Sequence, residues 1–341
     1  MKFYHSYCDI ISFLGCAENI DLEKVDAVYP CLANEYYLKL IDTGNLADDP
    51  IAKQIIPDSR ELNDCDSSYD PLSETEQSPV PGLVHRFVDR AVLLATGRCA
   101  VRCRFCFRKR TWTNGGETLP DIDDSGLIKI CEYLRGKQEI REVLISGGDP
   151  LMLPFERLKK IILELSKLDN IEIIRVGSRI PVVWPQRITT EISDFLGSVP
   201  GLWFATHFNH PREVTAESVE ACSLLVKAGV PVINQTVLLK GVNDDPTILE
   251  DLFRRLIKIR VKPHYLFHVD PVRGVRHFAT GIECGLDILR KFRPRLSSLA
   301  VPAFAIDLPE GGGKVALQAQ YRTADEFRDI FDCKNIIYPD A

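Results

Sequence analysis

The chain has 341 residues, 45% hydrophobic and 26% charged, with a formal net charge of -6. That length suits one α/β barrel plus an appendage and can bury roughly 75% of the unfolded surface, and the composition excludes disordered, collagenous and membrane-spanning classes. The charge offers no global attraction to nucleic acid or to a membrane surface, so any basic site must be local, and eleven cysteines are too sparse for a disulfide scaffold.

The N-terminus carries one early Lys and an apolar run ending in the lipobox-like Phe13-Leu14-Gly15-Cys16, but His5 and Asp9 break it as a signal segment. We read an amphipathic helix in a cytoplasmic protein. Residues 1–80 form a mainly helical and looped appendage, with short helical patterns around Asp21 to Leu40. An acidic, turn-rich stretch follows from Asp48 to Pro81, containing Ser73-Glu74-Thr75-Glu76; it has no periodic apolar face and reads as loop or linker.

Residues 81–310 then alternate apolar runs of strand length with helical patterns. The predicted strands are 91–96, 142–146, 171–176, 202–206, 232–239 and 264–269, and the predicted helices are 125–135, 154–167, 215–228, 246–259 and 281–291. A repeat of about 30 residues predicts parallel strands joined by right-handed crossovers, hence an α/β fold built as a partial (βα)6 TIM-like barrel. Cys131, Cys222 and Cys284 fall in helical apolar patterns and read as small core residues. The strand C-termini of such a barrel face the active site. Polar segments follow them here: Gly97-Arg98-Cys99, Gly147-Gly148-Asp149-Pro150, Gly177-Ser178-Arg179, His207-Phe208-Asn209-His210, Lys240-Gly241-Val242-Asn243 and Asp270. Residues 311–341 form a C-terminal segment.

Cys99, Cys103 and Cys106 stand at C-x3-C-x2-C spacing immediately after the first predicted strand. At this cysteine frequency such a triple arises by chance in roughly one chain in a hundred. Three thiolates in one short loop can bind three irons of a four-iron four-sulfur cluster and leave the fourth iron open. A zinc knuckle is the competing reading, and it needs a fourth Cys or His close by. Residues 98–110 also hold Arg98, Arg102, Arg104, Arg108, Lys109 and Arg110 without an acid, which reads as a local anion trap.

On these residues the chain resembles the radical S-adenosylmethionine superfamily, whose motif is C-x3-C-x2-C in the first loop of a partial barrel. Gly147, Gly148 and Asp149 in Ser146-Gly147-Gly148-Asp149-Pro150-Leu151 look like the segment that pairs with the methionyl amino group, the glycines letting backbone approach a small zwitterion. From about Val80 to Lys314 the chain is similar to the lysine 2,3-aminomutase family, in Pro79-Val80-Pro81-Gly82-Leu83-Val84-His85-Arg86, Phe107-Arg108-Lys109-Arg110, Thr206-His207-Phe208-Asn209-His210-Pro211, Asn234-Gln235-Thr236-Val237-Leu238-Leu239 and Gly311-Gly312-Gly313-Lys314. A P-loop reading of the glycine run fails, because Leu308 and Val315 occupy required Gly and Ser/Thr positions.

The resemblance implies a four-iron four-sulfur cluster on Cys99, Cys103 and Cys106, S-adenosylmethionine, and pyridoxal 5'-phosphate held by Lys314 as a Schiff base. It implies Arg86 and Arg90 near the pyridoxal group, Phe105 against the adenine, and His207 and Gln235 near S-adenosylmethionine. Arg108 would hold the substrate carboxylate, with Asp270 and Asp307 on its distal ammonium. The implied reaction is isomerisation of L-lysine to β-lysine, with an electron donor such as flavodoxin or ferredoxin; a homo-oligomer is compatible with it. The length and the wording of the cysteine loop are closer to the branch that serves elongation factor P, while the glycine run leans toward the free-lysine mutases. The rival of another class, a zinc-knuckle RNA-binding module, needs aromatic platforms and further basic faces that the sequence does not offer.

Overall fold

The structure, a computed structural model, describes residues 1–341 apart from 65, 310, 311, 324, 325, 332 and 338–341. Gly311 of the glycine run and Cys65 therefore lie outside the described residues. The N-terminal part contains β1 (Phe3–Tyr4), α1 (Tyr7–Leu14), α2 (Ile20–Val28), β2 (Ala33–Asn34) and α3 (Glu35–Leu38). The expected amphipathic helix is α1: Ser6 caps it by accepting from Asp9 N, and Ile10 and Ile11 are buried. Short 3-10 turns at Ala52–Gln54 and Ser59–Asn63 follow. Among the described residues no helix is long and apolar enough to cross a membrane.

The main sheet starts with β3 (Leu83–Phe87) and β4 (Arg90–Thr96). It continues through α4 (Asp124–Arg135), β5 (Glu142–Gly147), α5 (Phe155–Ser166), β6 (Ile173–Gly177), α6 (Ile180–Val183), α7 (Thr190–Ser198), β7 (Leu202–Thr206), α8 (Ala216–Lys227), β8 (Val232–Leu238), α9 (Pro246–Lys258), β9 (Val261–His268), α10 (Ile282–Phe292), β10 (Ala303–Leu308) and β11 (Gly313–Leu317). A small meander, β12 (Arg322–Thr323), β13 (Glu326–Arg328) and β14 (Asn335–Ile337), ends the chain. The nine-stranded order is β11-β10-β9-β8-β7-β6-β5-β4-β3; β4 to β10 run parallel, and β3 and β11 flank them antiparallel.

The six predicted strands correspond to β4 through β9, and the partial barrel is present. It gains a seventh parallel strand, β10, whose mixed Ala303-Phe-Ala-Ile-Asp-Leu308 run has no distinctive period and becomes a strand by pairing with β9. The sheet curls so that its two ends approach each other: Arg86 Nη2 in β3 donates to the Leu308 carbonyl in β10, the strand next to the edge strand β11, at 2.7 Å. Alternation sets the two faces. Val143, Ile145, Ile174, Val176 and Phe204 join Leu127, Ile130, Leu158 and Ile161 of the covering helices in one core, to which Cys131 and Cys222 also belong. Tyr7, Ile10, Ile11, Tyr37 and Leu38 from the first 80 residues lie in that same core.

Candidate active site

Three groups of side chains gather where the parallel strands end. The first is set by strand register. Asp307 in β10 pairs directly with Lys314 in β11, and Ala305, two residues back on the same face, pairs with Phe267 in β9. One face thus carries Phe267, Asp307 and Lys314 side by side. Lys314 Nζ bonds Asp307 Oδ2 and lies 3.9 Å from the Phe267 ring centroid and 5.4 Å from that of Tyr265. Arg86 Nη1 approaches Asp307 Oδ1 at 3.6 Å, while Arg86 Nε is buried with no hydrogen-bond partner among the described residues. Burial lowers the Lys314 ammonium below its ordinary value in spite of Asp307. Asp270 shares this environment: burial, then the Asp307 carboxylate, push its carboxyl up to about 7. Arg90, the first residue of β4, pairs with Asp89 at 2.9 Å and lies 4.0 Å over the Phe87 ring.

The second group surrounds the cysteine loop. Cys99, Cys103 and Cys106 are free thiols, and burial raises those of Cys99 and Cys106. Arg179, after β6, directs Nη1 to Cys103 Sγ at 2.7 Å and anchors Nη2 on Glu213 Oε1 at 2.8 Å and Tyr37 OH at 3.0 Å. Its guanidinium lies 5.3 Å from the Phe105 ring, and Phe105 in turn meets His207 at 5.5 Å. Burial, then Arg179, lower the His207 imidazole to about 3, so it is neutral, with Nε2 against Asn209 Oδ1 at 3.0 Å. Gln235 is half-buried in β8 and pairs in register with Tyr265, between the two groups.

The third group revises the reading of the basic loop. Arg104 and Lys109 are buried on one carboxylate, Glu61, while Arg108 and Arg110 share Glu74, and Arg98 pairs with Asp121. The cations of 98–110 are therefore largely neutralised from within and do not stand open as an anion trap. Their partners Glu61 and Glu74 come from the acidic 48–81 stretch, which is irregular but buried at these positions and is not a solvated linker. Buried guanidinium groups need carboxylates, and a contact between residues 34 and 43 positions apart in sequence leaves no periodic signal.

The glycine segment is also constrained by the protein itself. Gly147 has φ +112°, and a Cβ there would meet the Thr96 carbonyl oxygen at 2.5 Å; one on Gly148 would meet that of Arg98 at 2.4 Å. These glycines let the end of β5 cross the start of the cysteine loop. Asp149 ties the loops after β5 and β6 together, accepting from Leu151 N at 3.0 Å, Ser178 Oγ at 2.8 Å and Arg179 N at 2.8 Å, and burial raises its carboxyl to about 6.

Comparison with known proteins places this arrangement. Residues 93–252 match the Radical SAM superfamily. An L-lysine 2,3-aminomutase of Acetoanaerobium sticklandii is 44% identical over 306 residues, covering 88% of this chain and 73% of that protein. One from Clostridium subterminale is 44% identical over 289 residues, covering 84% and 68%. The chain belongs to the lysine 2,3-aminomutase family of radical S-adenosylmethionine enzymes. A glutamate 2,3-aminomutase of Clostridioides difficile is also similar, 38% identical over 300 residues, covering 88% of this chain and 70% of that protein. Like these relatives, the chain is an isomerase.

The cofactors of the family are a four-iron four-sulfur cluster and S-adenosylmethionine, with pyridoxal 5'-phosphate as the further cofactor of its aminomutases. The residues present fit them. Three thiols in one short loop are an all-sulfur donor set, one for each of three irons. Arg86 Nε, without a partner among the described residues, is a donor that a phosphate oxygen would satisfy. Sequence reasoning missed Glu74, Glu61, Glu213 and the aromatic pair Tyr265 and Phe267. For the aromatics a signal existed in their alternation along β9; for the acids none did.

Proposed function

We propose that this aminomutase acts on L-lysine, moving its amino group from the α to the β carbon with pyridoxal 5'-phosphate on Lys314. The observation that carries the reading is the pair Asp270 and Asp307 beside Lys314 and Arg86, two carboxylates suited to a distal ammonium. Cys99, Cys103 and Cys106 would hold the cluster. Phe105, neutral His207, Gln235 and the backbone of Gly147 and Gly148 would line the S-adenosylmethionine site, with Asp149 fixing their loops. Arg86 and Arg90 would hold the phosphate. When bound, these groups supply a hydrogen-abstracting radical and a ring that carries the migrating nitrogen.

The chain's own contribution is placement. Burial that lowers the Lys314 ammonium favours the free amine needed to form and release a covalent link. The Phe267 and Tyr265 rings supply an apolar wall under that amine. Arg108 would take the substrate carboxylate while the two aspartates take the ammonium, so the side chain is held at both ends and the reacting carbons lie between. The cluster requires a one-electron donor of the flavodoxin or ferredoxin class.

The test is anaerobic reconstitution with iron, sulfide and pyridoxal phosphate, then product analysis with lysine, glutamate and alanine as separate substrates. β-Lysine should form fastest, and faster turnover of glutamate or alanine would overturn the substrate assignment. Borohydride reduction and peptide mapping should place the pyridoxyl adduct on Lys314. Cys103→Ala should lose the iron chromophore.

A further inference from the structure

Arg108 is buried two residues beyond Cys106, and one edge of its guanidinium is already taken. Nε donates to Glu74 Oε2 at 2.9 Å and Nη2 to Glu74 Oε1 at 2.7 Å, a two-point fork. On the far side, among the described residues, Nη1 makes only long contacts, 3.3 Å to Ser146 Oγ and 3.3 Å to the Gly147 carbonyl at the end of β5. A guanidinium has five N–H donors. Glu74 takes the Nε edge, so the Nη1/Nη2 end is the part left to engage anything further.

Glu74 is itself fixed from behind. Arg110 Nη2 donates to Glu74 Oε2 at 3.1 Å, and Arg110 is held by Asp70 at 3.3 Å and Glu117 at 3.0 Å. Burial acts to raise the Glu74 carboxyl, but Arg108 and Arg110 outweigh it and hold it below its ordinary value. The carboxylate is thus charged, buried and immobile, which is the condition for it to immobilise Arg108 in turn. A free arginine side chain loses much rotamer freedom when it grips a ligand, and a guanidinium fixed during folding avoids that loss at binding.

We propose that Glu74 is a positioning residue for the substrate: it locks Arg108 by its Nε edge and presents the Nη1/Nη2 end to the α-carboxylate of the amino acid. The inference rests on Arg108 being the carboxylate-binding residue of the function proposed above. It separates Glu74 from a self-inhibiting plug, which would compete with the substrate for the same donors.

The experiment compares the KM for lysine with the inhibition constant of lysinamide, in which a carboxamide replaces the carboxylate. Wild type, Glu74→Gln, Glu74→Asp and Arg108→Gln are measured as reconstituted enzymes. Glu74→Gln should raise the lysine KM roughly tenfold or more, the scale expected of a displaced binding group, with a smaller change in kcat and the lysinamide constant almost unmoved. Glu74→Asp keeps the charge but retracts it by one methylene, and should show the same lysine-only rise even where Glu74→Gln fails to fold. A fall in lysine KM would establish the plug and overturn the proposal. So would parallel rises for lysine and lysinamide, which mark a merely structural role, or an unchanged lysine KM in the Glu74 variants while Arg108→Gln raises it. If Arg108→Gln itself leaves the lysine KM unchanged, the assignment of Arg108 is wrong and the inference falls with it.

Discussion

Asp270 carries a carboxyl raised to about 7 by burial and then by Asp307, against about 3.9 for an exposed aspartate. Lysine keeps its ε-ammonium throughout this range, so binding should strengthen as Asp270 loses its proton. The expected outcome is a kcat/KM for lysine that rises between about pH 6 and pH 8, with the rise absent in Asp270→Asn. The stability consequence has the opposite sign. A carboxyl whose folded pKa exceeds its unfolded one favours the native state at low pH and loses that contribution as pH climbs through about 7. Apoprotein carrying Asp270→Asn should therefore melt higher than wild type at pH 8, with the difference closing by pH 4; equal melting curves at both pH values would mean that Asp270 is solvated. Removing one partner of a partly desolvated charged contact costs about 2–5 kcal/mol. Asp270→Ala or Asp307→Ala should accordingly lower lysine kcat/KM by roughly 30-fold or more, with iron and pyridoxal content retained. Full lysine activity in both variants would remove lysine as the substrate.

The barrel depends on close approaches between helices and strands as well as on apolar alternation. In α10, Gly285 faces the fully buried Phe304 of β10, and a Cβ there would lie 2.2 Å from Phe304 Cζ. Replacing a mid-helix glycine by alanine gains up to about 1 kcal/mol of helix propensity, while overpacking a well-filled core costs about 1–3 kcal/mol. The ring is enclosed and cannot turn aside, so the second effect wins. Gly285→Ala should lower the denaturation midpoint, and a stabilised variant would mean that α10 shifts freely on the sheet. The six strands β4 to β9 and helices α4, α5, α8, α9 and α10 were legible from period and length. β3, β10 and β11 were not, because short flanking runs become strands through the neighbours they pair with. Those strands carry Arg86, Asp307 and Lys314, which resemblance to a family, not pattern, singled out as candidates.

At the scale of the whole molecule, the first 80 residues act as the counterion of the cysteine loop. Glu61 accepts from Arg104 Nε at 2.9 Å and bonds Lys109 Nζ, all three side chains being buried. Breaking a buried pair by removing one partner costs about 3–5 kcal/mol. Glu61→Gln should therefore lower the melting temperature markedly and reduce the iron retained after anaerobic reconstitution, measured by calorimetry and iron analysis; unchanged values would mean that the loop holds its shape without the N-terminal segment. Burial raises the Glu61 and Glu74 carboxyls, but Arg104 with Lys109 and Arg108 with Arg110 outweigh it and hold both below their ordinary values. Their stabilising contribution is present above the ordinary glutamate range and disappears as the pH falls through and below it. The sequence by itself determined the barrel class and the spacing of the cysteine loop, because periodicity and fixed short spacing are local and survive without a structure, and resemblance supplied candidate residues for each cofactor. Only the tertiary structure decided that four of the five arginines of that loop are already paired with carboxylates, that Asp149 is a tie between loops, and that Asp270 and Asp307 share one environment with Lys314. Charge neutralisation and desolvation depend on which side chains meet across tens or hundreds of residues, and no local pattern encodes that.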